Sequence, residues 1–213
     1  LSESSILIIE DNYDLRKYIG SLFSENFHVH LSENGKDGYF KALEVMPDVI
    51  ISDVMMPEMN GIELTKKILE SQELSHIPII MLTAKTGQDS VIEGLQSGAT
   101  DYIEKPFHST ELKIKVENAI KRQKSLSRHY RDKFLFKETS KQVIQSIDDK
   151  FIAKVKTSIE KNIDNSIWGV EQLAADLCMS RTQLFRKLKS ILDLTPSELI
   201  IEIKLQRAAS LIK

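Results

Sequence analysis

One cysteine, Cys178, stands in 213 residues. No internal disulfide and no multi-cysteine zinc site can form from it, which fits a reducing compartment. Long apolar runs are missing too. Ile6 to Ile9 and the Pro-containing Ile77 to Leu82 fall far short of the roughly 20 residues that span a bilayer. No basic stretch followed by an apolar one opens the chain, so a secretory leader is not expected. The expected location is cytoplasmic, with no membrane contact by this chain itself. The first residue is Leu1 rather than Met, which reads as a piece of something longer. Only 8 glycines and 5 prolines, against 41 % hydrophobic and 28 % charged residues, exclude collagen-like and disordered chains.

Charge of one sign is also lacking overall, since the net is -2, yet the balance is uneven along the chain. Residues 1–124 carry 13 Lys+Arg and 20 Asp+Glu, whereas residues 125–213 carry 16 and 11. An acidic half joined to a basic half implies two modules with different partners, the basic one being the candidate for nucleic acid.

What is present in the first half is alternation. Apolar runs Ile6–Ile9, Val49–Ile51, Ile79–Leu82 and Tyr102–Ile103, with a weaker edge-like run Phe27–Leu31, are separated by helix-period stretches. These are Leu15–Glu25, Gly35–Val45, Gly61–Ser71, Ser90–Ser97 and Ser109–Lys121. The pattern predicts an α/β fold, a doubly wound five-stranded parallel sheet. From Lys121 to about Lys150 there is no Gly or Pro and little apolar content, which predicts a helical or partly disordered connector over 125–150. From Phe151 the periodicity is helical, with starts at Ser166 or Trp168, Arg181 and Pro196. The second domain, 151–213, is thus expected to be all-α.

In a parallel sheet the residues after each strand share one mouth. Glu10, Asp11 and Asp53 meet there, with Thr83 and Lys105-Pro106 beside them. Three carboxylates repel unless a divalent cation neutralises them, and an all-oxygen set suits Mg²⁺. Such a site invites a phosphoryl group: a carboxylate attacks phosphorus, while an ammonium and a hydroxyl hold its oxygens. Asp53, at the tip of the central strand, is the candidate nucleophile.

These residues, namely Ile6 to Asn12, Ser52 to Pro57, Gly61, Leu82-Thr83-Ala84 and Asp101 to Phe107, resemble the response-regulator receiver domain, a flavodoxin-like fold, over residues 4 to about 122. The resemblance implies that Asp53 is the phospho-acceptor, Asp11 a direct Mg²⁺ ligand, Glu10 a metal partner and Met55 a carbonyl ligand. It implies that Thr83 moves to the phosphoryl oxygen, that Lys105 pairs with the phosphoryl group, and that Tyr102 is the aromatic switch. A cis Lys105-Pro106 peptide is expected with it. Taken alone, Tyr102 also reads as half-buried packing on an edge strand. Pro57 and Gly61 read as loop residues, through fixed φ and positive φ respectively.

Val170–Leu177, Cys178-Met179-Ser180 and Arg181–Ile191 read as helix, turn, helix. Leu173, Ala174 and Leu177 can face Leu184 and Leu188, and Ser180 suits an N-cap. Arg181, Arg186, Lys187 and Lys189 give the second helix a basic face. With Leu194–Ile200 and Lys204–Ile212, these residues resemble the first half of an AraC-type DNA-binding domain. By position, Thr182, Phe185 and Arg186 would meet bases and Arg181 and Lys189 phosphates. Phe185 reads equally as packing under a neighbouring helix, and Trp168 as core. That family has two helix-turn-helix units, of which only the first is matched. An apolar face of Leu199, Ile203, Leu205 and Leu211 is then expected to be partly uncovered.

Receiver first and AraC-type unit second implies the C-terminal portion of a hybrid two-component regulator. The expected partners are a histidine kinase, in the same parent chain or apart, double-stranded DNA, and a second copy on activation. The alternative is a phosphorelay carrier or phosphatase sink with a helical protein-binding adaptor. An enzyme with an outside substrate is not expected, because no general base or substrate cavity is evident.

Overall fold

Five runs rich in branched residues form one parallel sheet: β1 (Ser5–Ile9), β2 (His28–Ser32), β3 (Val49–Asp53), β4 (Ile79–Ala84) and β5 (Asp101–Lys105), in the order β2-β1-β3-β4-β5. The computed structural model describes residues 4–84, 98–136, 146–165 and 167–211. β1 and β3 are apolar on both faces because both are covered. β2, at the edge, is less covered: His28 and Leu31 are exposed and Val29 and His30 half-buried.

Helices α1 (Tyr13–Phe23), α2 (Gly35–Val45), α3 (Gly61–Glu70) and α4 (Ser109–Phe136) follow β1, β2, β3 and β5. Ile19 and Phe23 of α1, with Leu112 and Val116 of α4, pack on Ile6, Ile8, Ile51 and Leu82 on one sheet face. Ala42 of α2, with Leu64 and Ile68 of α3, packs on Leu7, Ile9, Ile50 and Met81 on the other. The sheet is therefore doubly wound, and its order reverses between β1 and β3. The expected helix over Ser90–Ser97 lies outside the described residues.

Chain contacts divide the molecule into two units, Leu1–Gln123 and Lys124–Lys213. In the second, α5 (Ile147–Lys161), α6 (Val170–Asp176), α7 (Arg181–Leu192) and α8 (Pro196–Leu211) enclose Phe151, Val155, Ile159, Trp168, Leu173, Leu184, Leu188 and Leu199. α4 runs well past Lys121, as a stretch without Gly or Pro allows. Its Tyr130 and Phe134, in the segment read as a connector, pack against this second core.

Two expectations about the helical unit can be placed. The second of these helices begins at Val170, where the helix-turn-helix reading placed it, rather than at the earlier start signals Ser166 or Trp168; the Gly169 N–H donates to Gln172 Oε1 at 3.0 Å and closes the first turn, while Trp168 is buried in the core. On α8 the anticipated apolar face is partly uncovered: Leu205, with Ile201 beside it, is exposed, whereas Leu199 and Ile203 are buried, and the Leu211 side chain lies outside the described residues.

Candidate functional site

Where a doubly wound sheet reverses its strand order, the loops after the two strands part and leave a crevice. Glu10 and Asp11 follow β1 at that point, and Asp53 ends β3 next to it. Thr83 lies one residue past Leu82, the register partner of Asp53, and Lys105 pairs with Ala84 at the end of β5. The Lys105-Pro106 peptide is cis.

The side chains converge as this register demands. Lys105 Nζ lies 2.8 Å from Glu10 Oε2 and 3.0 Å from Asp53 Oδ2. Asp53 Oδ1 accepts a 2.8 Å hydrogen bond from the Val54 N–H. Glu10, Asp53 and Thr83 are buried, whereas Asp11 is exposed. Burial raises the Glu10 carboxyl above its ordinary range and the neighbouring Asp53 adds to the rise, against the lowering effect of its Lys105 hydrogen bond.

One oxygen each from Glu10, Asp11 and Asp53 lies within 4.8 Å of the others. Three hard oxygen donors, one on an exposed side that water can reach, fit Mg²⁺ chemically, and the crowding of like charge gives a cation something to relieve. Met55 follows Asp53 by two residues with its side chain largely exposed.

The supporting loops show what sequence reading missed. Arg16, on α1, donates from Nη1 to the carbonyls of both Glu10 (2.5 Å) and Asp11 (3.2 Å), and its Nη2 lies 3.8 Å from Glu33. It thereby clamps the backbone that carries two of the acids. A basic residue on an amphipathic helix gives no such signal by itself. Gly61 does not have the positive φ expected of it; that conformation falls on Glu58, at φ 63°. Gly61 is required for close approach, since a Cβ there would lie 2.2 Å from the Asp53 carbonyl oxygen. Asn60 and Glu63 cap α3 reciprocally and fix this loop.

Tyr102 is partly buried and packs against the cluster under α2 and α3. Lys115 holds the strand there, donating to the Tyr102 carbonyl at 2.9 Å and pairing with Asp101 at 2.6 Å.

In the helical unit, Arg181, Thr182, Phe185, Arg186 and Lys189 share one exposed face of α7. Phe185 is 45 % exposed, so it is not packed beneath a neighbouring helix. Ser180 caps α7, accepting from the Gln183 N–H at 3.1 Å. Two of the basic groups have acidic neighbours: Arg181 lies 3.7 Å from Glu171, and Lys189 2.9 Å from Asp193. Lys187 does not belong to the basic face. Its side chain is 0 % exposed and sits 2.9 Å from Asp148.

Comparison with known proteins sets these features in context. The chain is 38 % identical over 211 residues to histidine kinase P4 of Formosa agariphila, covering 99 % of this chain but 15 % of that protein. Response regulator ArlR of Staphylococcus aureus is 40 % identical over 121 residues, 56 % of this chain and 54 % of ArlR. This chain spans only 8 % and 12 % of two further relatives, hybrid signal transduction histidine kinase D of Dictyostelium discoideum and sensor histidine kinase TmoS of Ectopseudomonas mendocina. Among solved structures, the receiver domain of a Syntrophus aciditrophicus signal transduction histidine kinase superposes with a TM-score of 0.54 at 28 % identity, over 66 % of this chain and 97 % of that one. The receiver domain of Francisella response regulator 1452 gives 0.52 at 36 % identity, over 56 % and 98 %. The family described as response regulator receiver domain matches residues 6–117, a span that holds the whole acidic pocket, its lysine and both loops that shape it; the chain belongs to that family.

Proposed function

We propose that the chain is a phosphorylation-controlled transcription regulator of a hybrid two-component system, with a phospho-acceptor domain over 1–124, a connector over 125–150 and the first unit of an AraC-type DNA-binding domain over 151–213. The observation that carries this reading is the placement of Asp53. One of its carboxylate oxygens is held by a backbone N–H and the other lies 3.0 Å from Lys105 in a buried acidic mouth.

The chemistry follows from these groups. The Asp53 carboxylate attacks the phosphorus of a kinase phosphohistidine; the new O–P bond forms, the P–N bond breaks, and the imidazole leaves with the electron pair. The Lys105 ammonium, released from its pairing with Asp53, holds one phosphoryl oxygen. The Thr83 hydroxyl moves to another, and Tyr102 follows it inward. Mg²⁺, held by Glu10, Asp11, Asp53 and the Met55 carbonyl, would neutralise charge on the transferring phosphoryl group. Gly61 lets the loop after β3 lie close against Asp53, and Arg16 keeps the acid-bearing backbone in place. The receiver surface then changes and biases assembly or DNA access. Catalysis is confined to the chain's own phosphorylation and dephosphorylation.

The likeness to a histidine kinase over 99 % of this chain supports a hybrid, cytoplasmic origin, with the kinase in the same parent protein. On the helical unit, Arg186 would read guanine through its bidentate fork, Phe185 a thymine methyl, and Thr182 a neighbouring edge; Arg181 and Lys189 would meet phosphates. The acidic neighbours of Arg181 and Lys189 favour a second reading, a phosphorelay carrier with a protein-binding adaptor, because pairing reduces their pull on phosphate.

DNA retention of the whole chain before and after treatment with acetyl phosphate and Mg²⁺ separates the two. Under the first reading, phosphorylation changes retention of a duplex, Asp53→Asn abolishes the change, and Arg186→Ala weakens retention in both states. Retention indifferent to phosphorylation and to Arg186→Ala would establish the adaptor reading instead.

A further inference from the structure

Lys187 is a charge in a core position. Along α7 the buried side chains are Leu184, Lys187, Leu188, Ile191 and Leu192, the spacing of one helical face. Lysines are almost never fully buried unless paired. This one has a side chain that is 0 % exposed, lies 2.9 Å from Asp148 Oδ1, and holds its ammonium 4.9 Å from the centre of the fully buried Phe151 ring. Both partners come from the first turns of α5. That helix starts from Ser146, which caps it reciprocally with Asp149, so Asp148 sits in the first turn, at the positive end of the helix dipole, a favourable place for an acidic side chain.

An apolar residue at 187 would fill the same space and tolerate small rotations of α7. An ammonium cannot: turning the helix away from Asp148 leaves a buried charge without its carboxylate, which is far costlier than a slipped methyl group. Arg186 is the next residue, about 100° round the helix, and is exposed. Fixing the azimuth of position 187 therefore fixes that of the exposed face.

We infer that the Lys187–Asp148 pair is a buried latch that sets the rotation of α7, making Lys187 a positioning residue for the face of Arg181, Thr182, Phe185 and Arg186. The inference rests on the reading of that face as a DNA contact. It concerns specificity more than strength: phosphate attraction survives a few degrees of rotation, but bidentate contact with a base edge does not. Tyr130 of α4 packs against the same core as Phe151.

The test uses the full chain. Duplexes are selected by the wild type from a randomised 20-base-pair pool, and affinity for a selected duplex is compared with that for an unselected one of equal length. Lys187→Met should leave the chain folded and lower the ratio of the two affinities by at least about tenfold, mostly through the selected duplex. The double variant Asp148→Leu with Lys187→Met, which removes both charges, should fold even where the single one does not, and should show the same loss. Arg186→Ala serves as the control for the DNA reading. A collapse of the ratio in Arg186→Ala but not in either latch variant overturns the latch alone. No enrichment from the pool, or no effect of Arg186→Ala, overturns the DNA reading and the latch with it.

Discussion

At the scale of single residues, the pocket is a balance of charge in a confined space. Glu10 and Asp53 are buried side by side with Lys105 between them, and Asp11 adds a third carboxylate nearby. A divalent cation that binds only the folded chain must stabilise it. Mg²⁺ at ten times its dissociation constant should add about 1.4 kcal/mol to unfolding stability, read from urea denaturation with and without the ion. Glu10→Gln should weaken that gain; an unchanged gain would show that the ion binds elsewhere. The acids, Thr83 and Lys105 were legible in the sequence because each follows an apolar run and all such positions share one mouth. Arg16 was not, because its role is to donate to backbone carbonyls, which carry no residue signature. Lys187 was misread for a related reason: composition records its charge, and only packing records that α7 turns it inward.

Elements are set by their ends as much as by their faces. The strands and α2, α3, α7 and α8 begin within a residue or two of where runs, caps and prolines place them. Ser180 and Pro196 are unambiguous start signals. For α6 the helix-turn-helix pattern placed the start at Val170, but the Ser166 and Trp168 signals were too early, because Gly169, with Gln172 accepting its N–H, makes the cap. α4 was underestimated because a polar surface helix and a polar connector have the same composition; its later turns are secured by Tyr130 and Phe134 against the second core. α8 opens on a similar reciprocal pair. The Thr195 N–H donates to Glu198 Oε2 at 2.8 Å and the Glu198 N–H to the Thr195 hydroxyl at 3.2 Å. The backbone hydrogen bond from Thr195, with help from its hydroxyl, holds the Glu198 carboxyl below its usual range. A carboxyl lowered on folding stabilises above its unfolded pKa and loses that contribution as the pH falls through the folded value. Wild type should therefore exceed Glu198→Gln in stability at neutral pH, and the gap should close as the pH drops below about 4.3. A gap independent of pH, measured by denaturant unfolding at each value, would mean that the charge is not involved.

For the molecule as a whole, an acidic α/β unit and a basic helical unit are joined in one chain, as the uneven charge anticipated. The parallel sheet, its order and the place of the pocket follow from strands that must be covered on both faces. Family membership rests on the matched span 6–117, whereas the role of the helical unit rests on its exposed α7 face and is the part that DNA measurements decide. No helix among the described residues is long and apolar enough to cross a membrane. The central claim is that Asp53 takes up a phosphoryl group in this pocket. The most direct test is intact mass after incubation with acetyl phosphate and Mg²⁺, for wild type and Asp53→Asn. The account predicts a single phosphoryl addition to wild type and none to Asp53→Asn. Addition to Asp53→Asn at the wild-type level, or none to wild type with Mg²⁺ bound, would contradict it.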